Sequence, residues 1–117
     1  MGPIETLLRN GIKRIEKPEN WCKGYYAKDI NHTNVGERDP RAFKWCMVGT
    51  ITAEFDTTIV PISHVVVFGF ISDAIHKQTP AWDTSMLFKW NDDADRTHAE
   101  VLAVLLDAAN MAKEQGQ

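Results

Sequence analysis

Cysteine is scarce in this chain: Cys22 and Cys46 are its only two thiols in 117 residues. Two thiols do not make a disulfide-dense scaffold, and a reduced pair in a cytoplasmic protein is the expectation, since that compartment keeps thiols reduced. Long apolar runs are missing too. The strongest, Val65-Val66-Val67-Phe68-Gly69-Phe70-Ile71, is far shorter than the roughly twenty residues a bilayer-spanning helix needs. No basic segment followed by an apolar stretch opens the sequence, so neither secretion nor a membrane partner is expected. Charge of one sign is also lacking. Thirteen Lys and Arg face sixteen Asp and Glu, leaving +1 over residues 1–59 and −4 over residues 60–117, which argues against a nucleic-acid partner. Glycine-rich phosphate loops, HExxH and GxSxG are absent, and with them the signatures of the commonest nucleotide, zinc-protease and serine-hydrolase chemistries.

What is present is ordinary globular composition, 44% hydrophobic and 25% charged, at a length that suits one domain over residues 1–117. Ile4, Leu7, Leu8, Ile12 and Ile15 recur at helical spacing, predicting an amphipathic helix over 3–17 with Pro3 in its first turn and Pro18 as its stop. Arg9, Lys13 and Lys17, with Arg14 beside them, read as its solvated side. Residues 19–38 carry no sustained period. Tyr25, Ala27 and Ile30 hint at an extended piece, and Asp29 to Asp39 reads as a surface loop. Asp39-Pro40 is a start signal for a helix over 40–54. On it Ala42, Cys46, Gly49 and Ala53 form a stripe of small side chains, whose expected partner is another helix, with a ligand as the alternative. Ser63 is placed to cap a helix running to Lys77, although the β-branched residues 65–67 also suit a strand. Asp83 is placed to cap a short helix over 84–90, with residues 91–95 as a loop. Thr97 and Glu100 form a capping box before Val101, Leu102, Leu105, Ala108, Ala109 and Ala112, and Gly116 supplies the stop. The expected fold is mainly α, a compact bundle of about four helices plus one shorter helix, with room for a small extended element.

Candidate chemistry is thin. Cys22 and Cys46 follow Trp21 and Trp45, so the two thiols meet if their segments pair, and a histidine within reach would complete a nucleophile–base pair. His98 is the leading candidate base, because the first turn of a helix disfavours imidazolium. The plainer account is two buried cysteines beside core tryptophans and a histidine on a surface turn. A zinc site from both cysteines and two histidines lacks paired short spacing. Asn91, Asp93 and Asp95 match alternate positions of a calcium loop, but Arg96 and Leu102 stand where its glycine and glutamate belong. No metal and no cofactor are expected.

Trp21 to Gly24, Trp45 to Gly49, and Trp90-Asn91-Asp92 followed by Thr97 together resemble a family of small uncharacterised bacterial and phage proteins with tryptophan-cysteine-glycine segments and a W-N-D turn. The resemblance covers residues 4–112. Gly49-Thr50 departs from it, since G-A-L is common there. It implies a mainly helical soluble protein and brings no activity, cofactor or catalytic residue. In W-N-D, Trp90 is suited to anchor the turn in the core, while Asn91 and Asp92 bond backbone amides and fix the path into the last helix. The leading functional expectation is a small binding or regulatory protein acting through a helical surface, on a protein partner or by self-association. The alternatives are an enzyme using Cys22 or Cys46 with a histidine, and a small-ligand site beside Gly49, Trp90, Asn91 and Asp92.

Overall fold

A computed structural model of the chain describes residues 1–55, 61–83 and 86–117. Helix α1, Pro3–Arg14, starts at its proline and buries Ile4, Leu7 and Leu8. It ends three residues before the expected stop. Lys17 is extended (ψ 135°), as a residue before proline must be to avoid the ring, so the chain leaves the helix ahead of Pro18. A single 3-10 turn, Pro18–Asn20, follows.

Three two-residue strands come next: β1 at Ala27–Lys28, β2 at Asn34–Val35 and β3 at Lys44–Trp45, in the antiparallel order β2-β1-β3. Ala27 pairs with Val35 on one side and Trp45 on the other. Asp29 shapes the β1–β2 turn, its Oδ1 accepting from the amides of Asn31 and Thr33 at 2.9 Å each. The extended piece expected near Ala27 is thus real, and the surface loop expected over 29–39 contains β2.

The expected helix over 40–54 begins only at Met47. Asp39 does not cap it: the carboxylate takes the Arg41 amide at 2.8 Å and the Arg41 guanidinium at 2.9 Å, and the Ala42 amide closes a turn on the Asp39 carbonyl. Hydrogen bonds to Arg41 hold the Asp39 carboxyl down to about 2. Proline after aspartate serves a turn as readily as a helix start, and here Phe43 and Cys46 donate their amides to Lys28 and Tyr26, which makes the segment a strand. Helix α2 is Met47–Phe55.

Helix α3, His64–Gln78, resolves the ambiguity at 65–67 in favour of helix. Ser63 caps it by accepting from the Val66 amide, and Val67, Phe70, Ile71, Ala74 and Ile75 are buried at helical spacing. Helix α4 is Leu87–Asp92; the start expected at residue 84 lies outside the described residues. Asn91 and Asp92 close α4 rather than opening a loop. Helix α5, His98–Glu114, carries both halves of the predicted capping box. It ends in a Schellman motif, with Gly116 (φ 71°) donating to Lys113 and Gln117 donating to Ala112.

One apolar cluster draws on all five helices, from Leu7 and Leu8 through Met47, Ile51, Ile71 and Trp90 to Val104 and Leu105. Helix α5 lies against α1 and α3, and its Ala108, Ala109 and Ala112, all fully buried, let both neighbours approach. The fold is compact and mainly helical, and the described residues form four longer helices, one short helix and a small three-stranded sheet, with a Cα radius of gyration of 13.3 Å. No helix among the described residues is long and apolar enough to cross a membrane.

Candidate functional site

The sheet and the helices are joined by a polar clamp centred on Asn91, which is fully buried. Its Oδ1 accepts from the Trp21 indole at 2.7 Å and from the Met47 amide at 3.1 Å. Its Nδ2 donates to the Cys22 carbonyl at 3.1 Å and to Asp92 Oδ1 at 3.0 Å. One side chain thereby satisfies an amide of the first turn of α2 and the backbone of the W-C-K-G segment, groups that burial would otherwise leave unpaired. Asp92 Oδ1 also accepts from the Gly24 amide at 3.0 Å. Gly24 sits at φ 89°, a left-handed conformation that side chains rarely adopt. Lys23 reaches the Asp93 carbonyl at 2.7 Å and lies 5.5 Å from the Trp21 ring centroid. The W-N-D residues do bond backbone as expected, yet they tie α4 to the sheet rather than steering the chain into α5. Trp90 is wholly buried, with the Arg96 guanidinium 3.8 Å from its ring centroid and donating to its carbonyl at 2.8 Å.

Cys46 caps α2. Its sulfur accepts from the Gly49 amide at 3.2 Å, the geometry a serine oxygen takes at this position. Burial pushes its thiol up to about 12. Cys22 lies alongside, because Trp21 and Trp45 form a parallel bridge, and burial pushes its thiol up to about 11 against the pull of Lys28 and Lys44. Both sulfurs are therefore protonated at neutral pH, and among the described residues neither is hydrogen-bonded to an imidazole. His98 is engaged elsewhere: its Nε2 lies 2.6 Å from the Ile15 carbonyl, to which it donates, and its ring is 5.9 Å from that of Trp21. The cysteine–histidine reading gains no geometric support.

Gly49 has a different partner from the expected helix. A Cβ there would stand 1.9 Å from the Tyr26 carbonyl oxygen, so Gly49 seats the strand entering β1, and the expected stripe is broken because Ala42 and Cys46 precede α2. Among the α1 cations, Arg9 pairs with Glu5 and donates to Asn110, while Arg14 donates to the Thr50 carbonyl and pairs with Glu54. The contacts to Asn110, Thr50 and Glu54 hold α1 to its neighbours and divide the basic stripe.

Above the clamp lies a cleft of about 170 Å³ lined by Gly24, Tyr25, Tyr26, Cys46, Phe88 and Asp92. Its three aromatic rings stand half out in water, at 43%, 46% and 46% exposure for Tyr25, Tyr26 and Phe88. Tyr25 and Tyr26 meet edge to face, their centroids 5.7 Å apart and their planes at 71°. Phe88 and Asp92, four residues apart on α4, project from one side of that helix.

A model of a family of unknown function, DUF6197, matches residues 1–111. The chain belongs to DUF6197. No curated protein and no solved structure matches it. Of the candidate residues in this DUF6197 chain, Cys46 and Asp92 reach the cleft, Asn91 lies in the clamp, Gly49 seats the Tyr26 backbone, and Trp90 belongs to the core. Tyr25, Tyr26 and Phe88 went unnoticed as site residues in the sequence; the signal was large aromatic side chains in a glycine-flanked segment and on a short helix. Among the described residues no group of three His, Cys, Asp or Glu side chains is arranged to hold a metal ion.

Proposed function

We propose that this protein binds a small ligand, or one projecting group of a larger one, in the cleft between the Gly24–Tyr26 segment and α4. The observation that carries the reading is the trio of half-exposed aromatic rings around an opening whose floor is fixed by a fully bonded polar clamp. Rings held in water by rigid backbone forgo burial free energy in the free protein and recover it when a ligand covers them. At about 170 Å³ the cleft is smaller than the roughly 300–1,000 Å³ of drug-sized sites, which favours a compact group over a nucleotide. Its ionisable members are one carboxyl, two phenols and a protonated thiol, with no imidazole among the described lining residues, a set suited to recognition more than to proton transfer. This reading takes up the small-ligand alternative beside Asn91 and Asp92 and sets it in the seam between sheet and helices, in place of a protein partner on a helical surface. On this reading the Trp21–Gly24 and Trp90–Asp92 segments serve to build the cleft of a bacterial or phage protein, and one cytoplasmic domain with reduced thiols carries the function.

The test is amide chemical-shift mapping of the nitrogen-labelled chain against benzyl alcohol, neopentyl alcohol and tetramethylammonium chloride. At least one probe is expected to give saturable shifts centred on Gly24, Tyr26, Cys46 and Asp92. Phe88→Ala is expected to weaken that binding without lowering the unfolding midpoint. Absence of saturable shifts at the cleft with every probe would refute the reading.

A further inference from the structure

Taking the cleft as a binding site, we infer that its ligand group is a methylated ammonium cation. Three aromatic side chains surround the opening, and the perpendicular arrangement of Tyr25 and Tyr26 gives the cleft walls in two orientations. An aromatic ring is negative on its face and attracts a cation within about 6 Å of its centroid. Among the described residues that line the cleft, Asp92 is the one carboxylate. Asp92 uses Oδ1 for the Gly24 amide and the Asn91 side chain, so its orientation is fixed while Oδ2 accepts no hydrogen bond from the described residues. Nor does any lysine or arginine among them form an ion pair with Asp92. Lys23 is turned to the carbonyls of Asp93 and Ala94, Lys44 lies against His32, and Lys28, whose Nζ comes within 4.0 Å of where a Gly24 Cβ would stand, is not among the residues that line the cleft.

An anionic ligand would meet aromatic rings and a carboxylate of its own sign. A neutral apolar group would fit the rings and leave that carboxylate without a counter-charge. A primary ammonium carries three strong donors that need acceptors in place of water, more than one carboxylate oxygen in a mostly aromatic wall offers. A methylated ammonium spreads its charge over methyl groups, gives up water more readily, and asks only for aromatic faces and a nearby negative charge. Its compact shape also suits about 170 Å³.

The experiment titrates the full chain, by calorimetry and amide shifts, with tetramethylammonium chloride at constant ionic strength. Choline is run in parallel with the uncharged alcohol in which carbon replaces its nitrogen. The cation is expected to bind about tenfold or more tighter than its isostere, the ratio that a ring cage and one carboxylate supply together. Asp92→Asn keeps the Oδ1 acceptor for Gly24 and is expected to reduce that preference, and Tyr26→Ala to weaken cation binding, with amide shifts elsewhere unchanged. Equal binding of cation and isostere at the cleft would overturn the cation assignment while leaving a binding site. Failure of every probe to reach the cleft would overturn both. A trimethyllysine peptide binding about tenfold tighter than choline assigns the cation to a modified protein; choline binding as tightly or tighter assigns it to a free small molecule, and either result supports the cation.

Discussion

Asn91 shows how much one side chain carries when it joins two layers. It meets four groups, including the Met47 amide and the Trp21 indole, and its bonds to the Met47 amide and the Cys22 carbonyl are buried from water. Asn91→Ala leaves two donors and the Cys22 carbonyl unpaired, each worth about 1–3 kcal/mol, so the variant is expected to lose about 3 kcal/mol or more by urea unfolding. A loss under about 1 kcal/mol would mean that the clamp is incidental. The cysteines make a second prediction, in pH. Their folded values, raised to about 11 and about 12 from 9.0, mean that the unfolded chain releases thiol protons first. Thiol-linked stability is thus complete below about pH 9 and declines as pH climbs from there toward 11 and 12. Urea midpoints at rising alkaline pH should fall more steeply for the natural chain than for Cys22→Ala/Cys46→Ala, and parallel declines would contradict the burial of the thiols.

At the scale of elements, two glycines on helices have opposite roles. Gly49 in α2 is pressed against the Tyr26 backbone, and backbone does not yield as a side-chain tip does. Gly49→Ala is expected to destabilise by about 2 kcal/mol or more, outweighing the roughly 1 kcal/mol gain in helix propensity. Gly69 in α3 is exposed, and among the described residues nothing beyond its own helix backbone comes within 4 Å of an added Cβ, so Gly69→Ala is expected to stabilise by about 0.5–1 kcal/mol. Thermal or urea midpoints read both, and equal signs would contradict the account. Elements defined by local chemistry were legible in the sequence. The Thr97–Glu100 box, the Ser63 cap and the apolar period of α5 act within a turn or two, and each stands where the sequence placed it. The first half of the helix expected at 40–54 failed for a non-local reason: Asp39-Pro40 suits a turn equally well, and only pairing of Phe43 and Cys46 with the β1 segment decides between them.

For the whole molecule, the mainly helical fold with one shorter helix was readable because apolar stripes on short helices have no stable exposed state. The cleft was not. Tyr25 and Tyr26 are separated from Phe88 and Asp92 by more than sixty positions, and no spacing rule links them; they meet because Asn91 holds α4 against the sheet. Closure of the fold depends on the same kind of distant backbone contact, for the Gln117 carbonyl accepts from the Ile4 and Glu5 amides at 2.7 and 3.1 Å at the start of α1. The central claim, that the clamp makes sheet and helices one unit, is read most directly by amide hydrogen exchange on the natural protein. The amides of Cys22, Cys46 and Met47, bonded to Trp45, Tyr26 and Asn91, should exchange as slowly as core amides of α5 such as Leu105 and Ala108. Rapid exchange at those three positions, matching the exposed turn at residues 30–32 while α5 stays protected, would contradict it.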